Sequence, residues 1–471
     1  MTGITTYGAY VPYNRLKRER IKEAFGKPVP PGEKAVANYD EDSITMGVAA
    51  ALDCCKNISP KGIDAVYFAT TTSPYKEKQC ATVISGVIDA RKTVRTADFG
   101  NSLRAGSAAL LAAMDGAKNG LNILVAASDC RLGAADGQHE VNFGDGAAAF
   151  VLGNKNVIAE ILDWHSVSVD FHDIWRTSDD IFVRSWEERF CLTQGYNKFL
   201  IDAAKGVMAK TGLKPEDFFR IVNYAHTPRY QVEIATDLGF RPDQIQDSLY
   251  TSVGNAGSAN APMMLVSALE EAKPGDKILF LTYGEGSDAI IFVVTDEILK
   301  LKPRPGLASH LKRKKVTMNY EKYLRWRNLI ITEPARRPRQ EKASLPDYYR
   351  NFDKNYALYG CRCTNCGTPQ FPPTSVCIQC QAVDKMEKYR FYGKKATIAT
   401  YTVDYLAKSF DPPNVIVVVD FEGGGRMFCH LIDCELDKIQ IGLEVEMSFR
   451  HLFLEDGIHT YFWKCIPKED K

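Results

Sequence analysis

The stretch Arg95-Thr-Ala-Asp-Phe-Gly-Asn-Ser-Leu-Arg-Ala-Gly-Ser107 runs from a strand-like segment through a Gly-Asn-Ser turn into an Ala-rich helix expected over Ala105 to Lys118. A helix N-terminus reached by such a turn carries free backbone N–H groups and the positive end of the helix dipole, a setting that stabilises a thiolate. Working outward, residues 1 to about 300 alternate β-branched apolar runs with Ala-rich amphipathic stretches, the pattern of an α/β fold around a buried sheet. Core strands are expected at Ala65 to Thr70, Ile123 to Ala127, Ala147 to Leu152, Arg220 to Tyr224, Lys277 to Tyr283 and Ala289 to Thr295. Helices are expected between them at Ser43 to Lys56, Cys80 to Ile88, Ala105 to Lys118, Tyr196 to Thr211 and Ala261 to Glu271.

A chain of 471 residues is too long for one ordinary core and suits two or three domains. The net charge of +1 disfavours a nucleic-acid coat, which needs a summed basic field. No apolar run is long enough to span a bilayer, and Met-Thr-Gly-Ile-Thr-Thr-Tyr at the start lacks a signal pattern, so a cytoplasmic protein with no membrane partner is expected. The 13 cysteines are then expected as thiols and metal ligands rather than disulfides. Cys54, Cys55, Cys80, Cys130 and Cys191 are scattered through the first two-thirds, and the rest follow residue 360.

From about Leu299 to Leu358 the chain changes character: Pro303, Pro305, the basic run Lys312 to Lys315, Pro334, Arg336, Arg337 and Arg339 suggest an extended linker or docking arm, with Tyr320, Tyr323, Trp326, Tyr348 and Tyr349 as packing points. The run Lys312 to Lys315 is read as a solvated turn ahead of a phosphate site. Then Cys363-Thr-Asn-Cys366 and Cys377-Ile-Gln-Cys380 stand ten residues apart. Two CxxC pairs at this spacing gather four thiolates into a tetrahedron for structural zinc, with iron the competing metal and Cys361 an outside candidate ligand. Beyond Phe391, short alternating runs at Ala396 to Val403, Val415 to Phe421, Arg426 to Ile432 and Leu443 to Phe449, with a hairpin turn at Gly423-Gly424-Gly425, predict a five-strand barrel.

Four further motifs carry a resemblance. Phe143-Gly-Asp-Gly-Ala-Ala-Ala-Phe-Val-Leu-Gly153, Ala225-His226-Thr-Pro, Ser252-Val-Gly-Asn255-Ala-Gly-Ser258 and Gly284-Glu-Gly-Ser-Asp-Ala289 stand in the order and spacing of the thiolase superfamily. Over roughly residues 3 to 298 the chain resembles the hydroxymethylglutaryl-CoA synthases of archaeal type. Its C-terminal part resembles the DUF35 module, a rubredoxin-like zinc ribbon followed by an OB-fold. The resemblance implies a thiolase-like five-layered duplicated α/β fold: N-terminal half 1–165, C-terminal half 166–300, linker 301–355, zinc ribbon 356–386 and all-β OB-fold barrel 387–471.

It also implies an acyl-CoA thioester as substrate, with His226 and Asn255 as the acid/base and enolate-stabilising groups. At the position of the family's acyl-accepting cysteine, five residues after Asp98, stands Leu103, which cannot form a thioester. At the position of its acid/base glutamate stands Thr71. Ser102 precedes the nucleophile position by one residue, turned by about 100° on a helix, and has no evident base in the sequence. Cys80 is read as a buried hydrophobe and Cys130 as a reserve nucleophile.

Aldol-type carbon–carbon chemistry, which needs no acyl-enzyme, therefore leads, with Asp98, His139 or Tyr283 as the unranked proton-transfer residue. The alternative is a catalytically silent subunit that scaffolds or completes a partner acyltransferase or thiolase. Nucleic-acid binding by the OB-fold, with Tyr389, Phe391, Tyr392 and Tyr401 as its aromatics, is the lesser alternative. A homodimer or higher assembly is expected, with room for a separate thiolase subunit.

Overall fold

The computed structural model describes residues 1–333, 342–407 and 409–468; Pro334, Arg336, Arg337 and Arg339 lie outside the described residues. The chain divides into one compact unit of Met1–Asn38 and Asp42–Leu324 and a second of Tyr39–Glu41 and Arg325–Lys471.

The first unit is built on nine strands in the order Arg220–Asn223, Lys277–Gly284, Gly286–Val294, Ala159–Ser168, Gly3–Tyr10, Gly146–Gly153, Ile123–Asp129, Ala65–Ala69 and Arg95–Phe99. Strand Ala159–Ser168, within which the expected boundary at residue 165 falls, joins the two sets of strands: its Glu160 and Ala159 pair with Gly3 and Ile4, and it pairs along its length with Gly286–Val294. Ala65–Ala69 runs parallel to both of its neighbours. Ile123–Asp129 is buried along its whole length, which is why it reads as an unbroken apolar run and not as alternation.

Helix Ser43–Cys54 packs on the strands Gly3–Tyr10, Gly146–Gly153 and Ile123–Asp129. Asp42 starts it with a capping box, its carboxylate accepting from Thr45 N at 2.8 Å while Thr45 Oγ1 accepts from Asp42 N at 2.9 Å. Helix Ala105–Lys118 lies on the first-half strands, and its Ser107 Oγ reaches the second half, 2.7 Å from Thr282 Oγ1 and 2.5 Å from Asp288 Oδ2. Helix Asn260–Glu271 touches strands of both halves, and Asn197–Thr211 covers the second half. The result is the helix–sheet–helix–sheet–helix stack of a thiolase-like fold, and in this unit each expected strand and helix lies within a residue or two of an observed element, except that Ala289 to Thr295 begins earlier, at Gly286; in the second unit the strand expected at Leu443 to Phe449 runs on to Glu455.

The segment expected as a linker carries short helices at Gly306–Lys312, Tyr320–Trp326, Leu345–Arg350 and Phe352–Ala357. Glu270 accepts from Leu307 N at 2.7 Å; in the basic run the Lys312 and Lys314 side chains are exposed, as expected of a solvated turn, with Lys314 paired to Glu33 at 2.5 Å.

In the second unit, a three-stranded sheet of Pro369–Gln370, Tyr359–Cys363 and Met386–Arg390 precedes five strands in the order Arg426–His430, Asn414–Phe421, Ala396–Asp404, Glu444–Glu455 and Ile458–Pro467. A parallel bridge from Leu431 to Cys465, with Ile432 N donating to Cys465 O at 3.0 Å, brings the two outer strands together and closes the barrel. Gly423, Gly424 and Gly425, all at positive φ, make the hairpin turn between Asn414–Phe421 and Arg426–His430. Trp463, Phe449, Val419 and Ile398 fill the interior. On the opposite face of the strands that carry Phe449 and Trp463 lies a buried ion group in which Arg450 meets Asp433 at 2.6 Å and Glu41 at 2.8 Å, and Lys464 meets Asp40 at 2.7 Å. Breaking one partner out of such a group leaves an uncompensated buried charge. Among the described residues, no helix is long and apolar enough to cross a membrane.

Candidate active site

The turn between Arg95–Phe99 and Ala105–Lys118 passes through Asn101 at φ 64°, a left-handed conformation that Asn tolerates. Leu103 packs half-buried against the hydrophobic core. Ser102 Oγ donates to Glu285 Oε2 at 2.5 Å, a carboxylate partner that is not evident in the sequence because it lies 183 residues away. Gly284 makes the approach feasible, since a Cβ there would stand 2.6 Å from Ser102 Oγ.

Thr71 is spent on structure. The buried Asp129 carboxylate accepts from Thr70 Oγ1 at 2.9 Å, Thr71 N at 2.7 Å and Thr72 Oγ1 at 3.0 Å through Oδ1. Its Oδ2 accepts from Thr71 Oγ1 at 3.0 Å and from Ser258 N and Oγ, each at 2.8 Å. Asp98 caps helix Ala81–Val87, accepting from Cys80 N at 2.5 Å and Ala81 N at 2.8 Å. Burial pushes the Cys80 thiol up and keeps it a hydrophobe, while Cys130 is half-buried with its N–H on Thr72 Oγ1 at 3.1 Å.

The glycine motifs of the two halves hold each other. Gly144 N donates to Asn255 O at 3.1 Å and Asn255 N to Asn142 O at 2.8 Å. A Cβ on Gly144 would fall 1.7 Å from Val253 O, and Gly254 stands at φ 91°, so both positions require glycine. This contact fixes Asn255, whose side-chain amide is fully engaged. Oδ1 accepts from Arg131 Nη2 at 2.7 Å and Gly257 N at 3.0 Å, and Nδ2 donates to Tyr224 Oη at 3.0 Å and Ala225 O at 3.1 Å.

His226 lies between strand Arg220–Asn223 and helix Pro228–Asp237. Its ring packs among Tyr224 at 5.5 Å, Tyr196 at 5.7 Å and Tyr283 at 5.9 Å between centroids. Nε2 stands 3.4 Å from Asp173 Oδ2, long for a hydrogen bond and within the range that tightens on substrate binding. Burial opposes the Asp173 charge, yet His226, Tyr283 and Cys191 outweigh it and hold the carboxyl below its usual range. Burial and the Asp173 charge push the Cys191 thiol up to about 12 and raise the Tyr283 hydroxyl, so neither ionises near neutral pH. Burial, then the Arg131 and His226 charges, depress His139 to about 4.

These groups border a cavity of about 250 Å³. Of the residues expected from sequence, His226, Asn255 and His139 line it, and Tyr283 stands behind His226. Leu103, Ser102, Thr71 and Asp98 are not among its lining residues. Asp173, Glu188, Cys191, Tyr196 and Tyr230 line it as well, and no motif in the sequence marks them as site residues. Cys191 opens a turn of π-helix, Cys191–Tyr196, a rare feature frequent at functional sites, but no residue pattern announces it. A second cavity of about 370 Å³, bordered by Phe25, Lys27, Pro28, Val29 and Pro30, shares Gly137, Gln138, Asn142 and Thr227 with the first.

In the second unit the four expected cysteines converge, with their Sγ atoms all within 4.8 Å of one another, Cys363 to Cys380 at 3.7 Å and Cys366 to Cys377 at 3.5 Å. Zinc–sulfur bonds of about 2.3 Å in a tetrahedron put sulfurs about 3.8 Å apart, so the set fits zinc and leaves no open coordination position. Cys361 Sγ instead accepts from Thr374 N at 3.4 Å.

Residues 353–387 match the rubredoxin-like zinc ribbon domain of ChsH2, 389–450 its C-terminal OB-fold domain, and 208–295 the C-terminal domain of 3-oxoacyl-[acyl-carrier-protein] synthase III. The hydroxymethylglutaryl-CoA synthase of Methanocaldococcus jannaschii is 35% identical over 345 residues, covering 70% of this chain and 99% of the relative. That of Methanopyrus kandleri is 34% identical over 345 residues, covering 70% and 97%. Among solved structures, MvaS in complex with 3-hydroxy-3-methylglutaryl coenzyme A superposes with a TM-score of 0.61 at 21% identity, over 73% of this chain and 94% of that one. The 3-oxoacyl-[acyl-carrier-protein] synthase III of Aquifex aeolicus gives 0.56 at 21%, over 62% and 100%. The chain therefore belongs to the hydroxymethylglutaryl-CoA synthase family of the thiolase superfamily, with a ChsH2-type zinc ribbon and OB-fold fused at its C-terminal end.

Proposed function

We propose that this protein makes or breaks carbon–carbon bonds in acyl-CoA thioesters by aldol-type chemistry, without an acyl-enzyme. The observation that carries this reading is the His226–Asp173 pair beside a cavity, in a family member with leucine at the nucleophile position. In the cleavage direction, His226 Nδ1 takes the proton of the 3-hydroxyl group, and the C2–C3 bond breaks as the hydroxyl oxygen becomes a carbonyl. The bonding pair passes to the thioester as an enolate, and a proton returned to C2 releases the shortened acyl-CoA. Asp173 orients the imidazole and stabilises its charged form. Asn255 acts as a positioning residue, because its N–H groups hold Tyr224 and the Ala225 carbonyl next to His226. The second cavity, with Lys27 at its edge, receives the CoA arm. Zinc folds the ribbon and takes no chemical step.

The test is cleavage of 3-hydroxyacyl-CoA substrates by wild type and His226→Ala. A loss of about a hundredfold or more is expected; an unchanged rate removes His226 from the chemistry. A second reading, a catalytically silent subunit, is favoured by the commitment of both Leu103 and Thr71 to packing and structural hydrogen bonds. Absence of turnover by the wild type with every thioester tried would bring it forward.

A further inference from the structure

The cavity beside His226 has a size and a charge pattern of its own. An apolar protein cavity of about 150 Å³ accommodates benzene, with six heavy atoms, so about 250 Å³ takes about ten non-hydrogen atoms. Its apolar walls are Phe143, Ile174, Val183, Trp186 and Leu192. Trp186 is 60% exposed although it borders the cavity, and Ile181 and Phe190 nearby in sequence are also exposed. An apolar ligand would cover the indole, a gain that water does not offer.

The charges bordering the cavity are of one sign. Asp173 and Glu188 are its carboxylates, and no Lys or Arg stands among its described lining residues. Glu188 accepts from Tyr230 Oη at 2.9 Å, which holds it at the wall. The Arg131 guanidinium stands over the Phe143 ring, 4.0 Å from its centroid, and is not itself a lining residue; its Nη2 donates to Asn255, while Nε and Nη1 are buried without a hydrogen-bond partner. Lys27, in the adjoining cavity, is paired with Asp136 at 2.5 Å. A ligand ending in a carboxylate would meet two negative groups and no Lys or Arg among the described lining residues, with Arg131 screened from it by the Phe143 ring.

We infer that this cavity selects an uncharged, largely apolar acyl group of about ten non-hydrogen atoms, and rejects both short acyl groups and those ending in a carboxylate. The inference rests on the acyl-CoA reading of the same site. It sets this chain's substrate class apart from that named for the 3-hydroxy-3-methylglutaryl coenzyme A complex of its structural neighbour.

Calorimetric titration of the full chain with CoA, acetyl-, pentanoyl-, decanoyl- and glutaryl-CoA tests it. Each buried methylene contributes up to about a fourfold gain, and because ordering and incomplete burial take back part of it, decanoyl-CoA is expected to bind at least about thirtyfold tighter than acetyl-CoA. Glutaryl-CoA is expected to bind at least about tenfold more weakly than pentanoyl-CoA, which has the same chain length. Val183→Trp and, independently, Ile174→Trp fill the cavity and are expected to erase the decanoyl gain, while unchanged CoA affinity reports an intact fold. Affinities equal within threefold across the series, or glutaryl-CoA binding as tightly as pentanoyl-CoA, overturn this inference and leave the acyl-CoA reading standing. Failure of CoA and of every thioester to bind overturns both.

Discussion

The two halves of the first unit share a plan but divide its labour unequally. In the first half, the positions that resemble a nucleophile and an acid/base are Leu103, packed on the core, and Thr71, bonded to Asp129. In the second half, His226, Asp173 and a group of tyrosines gather beside a cavity. On one side these side chains are committed to packing and structural hydrogen bonds, while on the other polar groups converge on a cavity. A fold whose layers are joined by backbone contacts, such as that of Gly144 with Asn255, tolerates this, because its assembly does not depend on the reactive side chains.

If the first half is architecture, its keystone should weigh on stability. Asp129→Ala removes the acceptor of six hydrogen bonds, leaving buried donors unpaired, and is expected to cost about 3–5 kcal/mol. Denaturant titration measures it, and a cost under about 1 kcal/mol would deny Asp129 that place.

The second comparison uses pH. His139 is held near 4 in the folded protein against about 6.5 in the unfolded chain. Below pH 6.5 the unfolded state takes up a proton that the native state refuses, so stability falls as pH drops from 6.5 towards 4, by up to about 3 kcal/mol. His139→Gln should flatten that acid limb in unfolding measured across this range, and an unchanged slope would contradict the burial of a neutral imidazole at the cavity.

Within the second half, Asp173→Asn leaves the shape but removes the charge that orients His226, and about a thirtyfold fall in turnover is expected, with a shifted pH–rate profile. A mere loss of affinity at unchanged turnover would reduce Asp173 to a structural role. The smallest effect is expected at Leu103. Leu103→Ala should cost about 1–2 kcal/mol in thermal unfolding, since the side chain is only half-buried, and turnover should stay within about threefold. A hundredfold loss would return chemistry to the first half and erase the contrast.

The parts legible in the sequence are those with local signals. The bounds of helix Ala105–Lys118 are legible because its small-residue periodicity and preceding turn are contiguous, and the four converging cysteines because their spacing is the site. Strand Gly3–Tyr10 escaped because Gly3 and Gly8, poor strand formers, serve close approach: a Cβ would lie 2.1 Å from Ala159 O and 2.3 Å from Cys54 N. Strand Ala159–Ser168 was missed as well, its exposed and half-buried residues being mixed around a register shift with its partner. At the site, His226 and Asn255 sit in recognisable motifs, but Asp173 lies in an irregular loop and acquires meaning only through a partner far away in sequence. Glu285 likewise shows its pairing with Ser102 only when the turn at Gly284 folds back on the nucleophile position.

The central claim is that chemistry here proceeds without an acyl-enzyme, and intact-protein mass spectrometry tests it most directly. After incubation of the wild-type protein with acetyl-CoA and longer acyl-CoAs, with products followed in the same samples, the account predicts an unmodified mass alongside cleavage of a 3-hydroxyacyl-CoA. A mass increase equal to the acyl group, mapped by peptide analysis to Ser102 or to a cysteine of the first unit, would contradict it.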